Sequence, residues 1–119
     1  GHIDISVGGH VVGSMSTYDT AMKEAEEELG LKLTKLHPIS GYFCEDNQPD
    51  LPLYNLEYRD LFLAEIDNIR DIHFSDNEVA GLYLCPQKHL KEFLQQTRLP
   101  LANALKASLP YYLRYFNKT

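Results

Sequence analysis

The sequence is poor in cysteine and contains no long apolar run, and each absence excludes a class of protein. The two cysteines, Cys44 and Cys85, lie far apart without a C-x-x-C motif, so neither a zinc knuckle nor a disulfide framework is indicated. No segment approaches the roughly 18 apolar residues of a membrane span, and no basic stretch leads into an apolar one as in a signal peptide. We therefore expect a cytoplasmic protein with no membrane partner.

Basic residues are also scarce. The chain has 11 lysines and arginines and 17 aspartates and glutamates, which gives a formal net charge of -6. A surface of this sign repels the nucleic-acid backbone, so we expect no nucleic-acid partner. An anionic ligand would need a bound metal ion to mediate its contact with the protein.

The chain itself has the size and composition of one folded domain. It has 119 residues, of which 44% are hydrophobic and 24% charged, so we predict a single domain over residues 1–119. Apolar and polar residues alternate from Ile3 to Val7 as in a strand, with no turn before them. We therefore expect that the chain begins inside a sheet whose earlier strands are missing. Because such a sheet has an open edge, a homodimer is a further expectation.

A helix is predicted to begin near Ser16 or Thr17 and to end at Gly30. Ser16 and Asp19 form an S-x-x-D pattern close to a capping box, and glycine is a typical helix stop. Between them, apolar residues at spacings of three and four form one stripe that should pack on the protein: Tyr18, Ala21, Met22, Ala25 and Leu29.

The remaining periodicity predicts strands alternating with helices. We predict strands over residues 31–43 with a bend near Pro38, over 54–66 and over 78–85. Helices are predicted over 87–96 and 101–109, the latter resuming over 111–116 after Pro110. This order indicates a layered α/β or α+β fold.

Three glutamates of the first helix share one face. At about 100° per residue, Glu24, Glu27 and Glu28 fall within an arc of about 100°, whereas Glu26 points elsewhere. Like charges at this spacing destabilise a helix, and those near its C-terminal end also oppose the helix dipole. A hard cation such as Mg²⁺ or Mn²⁺ would compensate, because it prefers oxygen ligands and keeps waters that substrate phosphates can displace. The alternative is a solvated acidic face without a ligand.

The glycine loop and the glutamate helix together resemble the signature of the Nudix hydrolase family. That signature is G, five residues, E, seven residues, then R-E-U-x-E-E-x-G-U, where U is aliphatic. Gly9 takes the first position and Lys23–Leu31 the end, so the box spans residues 9–31. The preceding segment, Asp4–His10, is similar to the strand that enters the box in members related to isopentenyl diphosphate isomerase.

The resemblance implies a Nudix fold, an α/β/α sandwich with a mixed β-sheet, and a metal-dependent hydrolase that cleaves a diphosphate linkage in a small molecule. It implies Glu24, Glu27 and Glu28 as ligands of Mg²⁺ or Mn²⁺, and Glu24, Glu27 and Lys23 as catalytic residues. A homodimer would be compatible with this function. The substrate class would be a nucleoside diphosphate linked to another moiety.

Further residues are predicted to bind the substrate. Gly9 and His10 lie in the glycine loop, where they can approach a phosphate, and Glu78 can supply a further ligand or base. For the histidine and for Glu78, a purely structural role is the alternative.

Two positions depart from the family pattern. Met15 stands where the first box glutamate is expected, and Lys23 stands where the arginine is expected. Lysine retains the charge but lacks the bidentate fork of arginine, so a supporting ion pair is lost. A second hypothesis is therefore a Nudix-fold binding module that has lost turnover. A third, an isomerase of isoprenoid diphosphates, depends on the entry segment alone.

Overall fold

The computed structural model describes residues 3–45, 56–74, 82 and 84–117, which form both helices and strands. The protein is thus of mixed α and β structure. Along the chain, these ranges contain α1 (Thr17–Leu29), β1 (His37–Glu45), β2 (Leu56–Leu63), a 3₁₀ turn (Ile69–Asp71), a second 3₁₀ turn (Gln87–His89), α2 (Leu90–Gln96) and α3 (Asn103–Asn117).

Helix α1 begins and ends where the sequence predicts. The backbone of Ser16 is extended, and its hydroxyl oxygen accepts a hydrogen bond of 3.0 Å from the amide of Asp19. Gly30 ends the helix in the left-handed conformation, with φ at 67°, which glycine adopts without a Cβ clash. Both end signals read from the sequence are therefore confirmed.

The predicted apolar stripe of α1 does pack on the protein. Ala25 and Leu29 are buried, and the other three members of the stripe are half-buried. The Tyr18 hydroxyl accepts a hydrogen bond of 3.1 Å from the amide of Leu36, and its ring meets Phe62 edge-on at 5.8 Å between centroids. These contacts join α1 to the segment before β1 and to β2.

Strands β1 and β2 pair antiparallel, and α1 and α3 contact opposite faces of this sheet. Tyr42, on one face, stacks on Tyr111 of α3 with 4.6 Å between ring centroids. Side chains alternate between the faces, so Asp60 and Phe62 share the other face. There the hydroxyl of Thr17, in the first turn of α1, donates a hydrogen bond of 2.6 Å to Asp60.

The strands are shorter than predicted. The register is irregular between Pro38 and Ser40, which confirms the bend near Pro38, but β1 begins only at His37. Because pairing ends at His37 with Leu63, residues 31–36 and 64–66 lack a strand partner within the described ranges and are not strands. Of the predicted strand 78–85, residues 78–81 and 83 lie outside the description, and the others are not in a strand.

The prediction of a strand from Ile3 to Val7 is wrong. Within the part of the chain that the structure describes, Ile3 is the one residue of this segment that pairs, in a parallel bridge with Leu101. Its amide donates to the carbonyl of Pro100 at 2.9 Å, and its carbonyl accepts from the amide of Ala102 at 2.8 Å. Toward Val7 the ladder cannot extend, because α3 begins directly after Ala102 and a helical backbone cannot pair in a sheet.

Helix α3 runs without interruption through Pro110, where we expected a break. Proline removes one intrahelical hydrogen bond, and the packing of the next residue, Tyr111, on the sheet favours continuation of the helix. Although α3 has 15 residues, no helix in the described part of the chain is long and apolar enough to cross a bilayer.

We expect Ser16→Ala to lower the free energy of unfolding by about 1 kcal/mol, because the amide of Asp19 loses its cap. Urea unfolding followed by circular dichroism measures this change. Ser14→Ala is the matched control, since Ser14 is exposed and lies before the cap. Equal effects of the two substitutions would contradict a capping role for Ser16.

Candidate metal and phosphate site

The glycine loop and the glutamate helix meet at Gly9 and Glu24. A Cβ atom placed on Gly9 would lie 2.7 Å from both the Cγ atom and the carboxyl carbon of Glu24, and 3.0 Å from Oε1. Real Cβ atoms essentially never approach other atoms so closely. The Glu24 side chain therefore occupies the space that any side chain at position 9 would need. Two positions of the predicted box are in direct juxtaposition.

The three predicted metal ligands differ in exposure. Glu24 and Glu28 are half-buried on the side of α1 that faces the protein, whereas Glu27 is exposed. The two half-buried carboxylates are one helical turn apart, which is about 6 Å along the axis. Glu26 is exposed on another side of the helix, as predicted.

Lys23 pairs with one of the predicted catalytic glutamates. Its Nζ atom lies 3.7 Å from Oε1 of Glu27, and the two side chains are 53% and 55% exposed. An exposed pair at this spacing stabilises a helix by only about 0.3–0.5 kcal/mol. Lys23 therefore contributes little to the stability of α1, and it neutralises part of the acidic face.

The other predicted residues flank this contact. His10 and Met15 are both exposed in the segment that connects Gly9 to α1, and Met15 directly precedes the cap residue Ser16. Gly13, with φ at 67°, turns this segment. Glu78 lies outside the described residues.

The donor chemistry of the site fits a hard divalent cation. Within residues 3–45, 56–74, 82 and 84–117, no three side chains of His, Cys, Asp or Glu come together as a complete metal-binding group. Mg²⁺, however, usually takes only one or two carboxylates and fills its remaining positions with water and substrate phosphates. Glu24 and Glu28 supply oxygen donors of that kind. The metal site stays a prediction.

Two contacts that position α1 were not foreseen from the sequence. At the C-terminal end, the amide of His73 donates a hydrogen bond of 2.8 Å to the carbonyl of Leu29. At the N-terminal end, Thr17 is tied to Asp60. The last carbonyl groups of a helix have no partner within the helix, so donors are needed there. The sequence does not tell which distant residue supplies these donors.

The chain was compared with protein-family models, with curated proteins and with solved structures, and none of the three comparisons found a match. The resemblance to Nudix hydrolases therefore depends on the residues of the sequence alone and stays a prediction.

We expect Gly9→Ala to weaken Mn²⁺ binding about tenfold, because the added methyl group displaces the carboxylate of Glu24. Electron paramagnetic resonance of free Mn²⁺ measures the affinity. In the control Gly8→Ala, the new Cβ would meet only Cδ1 of Ile5, at 3.2 Å, and that flexible side chain can move. Unchanged Mn²⁺ affinity in Gly9→Ala would contradict a ligand role for Glu24.

Proposed function

We propose that the protein is a metal-dependent hydrolase that cleaves a diphosphate linkage in a nucleoside diphosphate joined to another moiety, or in a similar small molecule. The observation that carries the proposal is the packing of the Glu24 carboxylate against Gly9. This contact joins the glycine-containing loop to a helix that carries several carboxylates. A phosphate-binding and metal-binding site needs both parts side by side.

The fold proposed with this function is the Nudix fold. Its support is that α1 and α3 contact opposite faces of the β1–β2 sheet, through Asp60 and Tyr42 respectively. Such an order of layers is that of an α/β/α sandwich. The glutamate-bearing helix is one of the outer layers.

Each part of the site has a role in the proposed reaction. Glu24 and Glu28 would bind Mg²⁺, with Glu27 at the exposed margin of the same face. Once bound, the cation neutralises phosphate charge and lowers the pKa of a bound water. The backbone of the exposed glycine loop could bind a phosphate at Gly8, whereas the space beside Gly9 holds the Glu24 carboxylate, whose charge a bound cation would have to neutralise.

In the reaction, the oxygen of a water attacks one phosphorus of the diphosphate, and the bond from that phosphorus to the bridging oxygen breaks. The proton of the water passes to a box glutamate, for which Glu24 is the candidate because it lies against the loop. The bridging oxygen leaves with the second phosphate. The net charge of -6 explains why an anionic substrate would need the cation to approach.

Glu24→Gln tests this function, because it keeps the shape of the side chain and removes its charge. With Mg²⁺ present, nucleotide, sugar-nucleotide, coenzyme and isoprenoid diphosphates are screened for phosphate products. We expect hydrolysis of at least one class, reduced at least about 100-fold in Glu24→Gln. Glu26→Gln is the matched control, since it removes an exposed carboxylate from another side of α1. Hydrolysis of no class, or equal rates in the two variants, would refute the proposal.

A second candidate function is a binding module without turnover. The observation that favours it is the engagement of Lys23 with Glu27 at the surface, together with an exposed Met15 in place of an acid. The ion pair that would brace the loop is then absent. Such a module would bind a metal and a diphosphate without cleaving it.

The double substitution Met15→Glu with Lys23→Arg distinguishes the two functions. For a module that lost turnover through these positions, we expect Mn²⁺ and diphosphate binding in the unmodified protein without product, and measurable product release in the double variant. A coupled phosphate assay under both conditions provides the measurement. Product release by the unmodified protein that disappears in Glu24→Gln would exclude the module.

A further inference from the structure

Two exposed aromatic side chains lie on the face of the β1–β2 sheet that α1 contacts, beyond the N-terminal end of that helix. Phe43 of β1 and Tyr58 of β2 are cross-strand partners, and they are 67% and 57% exposed. Their ring centroids are 5.1 Å apart and the ring planes cross at 69°. The two rings therefore form a corner with open aromatic surface, which we call the aromatic corner.

The Tyr58 ring is held in place by its surroundings. A Cβ atom at Gly41 would overlap the Tyr58 hydroxyl, so the hydroxyl lies over β1 only because that position is glycine. The hydroxyl also forms a hydrogen bond with the Asp60 side chain. Asp60 in turn accepts the hydrogen bond of 2.6 Å from Thr17. The aromatic corner is thus preorganised, which lowers the entropic cost of binding a ligand.

The charge next to the aromatic corner is negative. Of the described residues shown in contact with the aromatic corner, Asp60 is charged. Repulsion by its carboxylate is the main cause of the raised pKa of Tyr58. A carboxylate beside the Tyr58 side chain repels an anion and attracts a cation, in agreement with the net charge of -6.

We propose that the aromatic corner binds the quaternary ammonium head of a small organic cation, with Phe43 and Tyr58 contacting its methyl groups and Asp60 balancing its charge. An alkylated ammonium suits an exposed site better than a lysine does, because methyl groups contact ring faces and give up little hydration. This site uses residues of β1 and β2, whereas the diphosphate site uses α1 and the glycine loop, and the hydrogen bond from Thr17 to Asp60 links the two.

Choline is the probe that tests the site. Titration at constant ionic strength, followed by the NMR resonances of the aromatic rings, should show saturable binding with Phe43 and Tyr58 among the shifted signals. We expect Phe43→Ala and Phe43→Leu to weaken the affinity about two- to fivefold, the loss of one exposed cation–π contact. Phe74→Ala, which removes another exposed phenylalanine, is the control and should bind choline normally.

Two comparisons decide the chemistry of the ligand. The uncharged tert-butyl analogue of choline has the same shape, and we expect it to bind at least twofold more weakly. Asp60→Asn, which keeps one side-chain oxygen as an acceptor and removes the charge, should weaken the binding of choline more than that of the analogue.

Equal affinity for choline and its analogue would overturn the assignment to a cation. Normal binding in Phe43→Leu would overturn the assignment to this corner. A trimethyllysine peptide that binds at least tenfold more tightly than free choline would overturn the assignment to a free small molecule, in favour of a modified protein tail. Circular dichroism of each variant verifies that it is folded.

Discussion

The Asp60 carboxylate is the contact on which the arrangement of this protein depends. It accepts a hydrogen bond from Thr17 at the start of α1, and it bonds to the hydroxyl of Tyr58 on its own strand. One side chain thus links the start of the glutamate helix, strand β2 and the Tyr58 side of the aromatic corner. Because a carboxylate has several lone pairs, it can serve both donors at once.

The acidic face of α1 shows how the fold accommodates like charges on one helix. Glu24 and Glu28 lie on the side of α1 that faces the protein and are half-buried. Glu27 is exposed and pairs with Lys23. Repulsion at helical spacing is reduced when one carboxylate is neutralised by a lysine. Glu24, which lies against the glycine loop, and Glu28 are the half-buried carboxylates of this face, and the proposed cation would bind them.

Local signals in the sequence predicted local structure well and pairing poorly. Ser16 and Gly30 bound α1 as predicted, since capping depends on residues only a few positions apart. Ile3 to Val7 alternates as a strand should, yet among the described residues Ile3 alone of this segment pairs, because α3 begins two residues after its partner Leu101. Pro110 did not break α3, because the stacking of Tyr111 on Tyr42 comes from a distant part of the chain. Where a prediction failed, contacts with distant residues had decided the structure.

The sequence by itself determined the glutamate helix, its two ends, the shared face of its carboxylates and the acidic balance of the chain. These follow from helical geometry and from residue types alone. Only the tertiary structure decided which carboxylates are half-buried, that Glu24 packs on Gly9, and that Phe43 and Tyr58 remain exposed on the sheet. Such facts depend on contacts between residues far apart in the chain, and no local pattern specifies which distant surfaces come together.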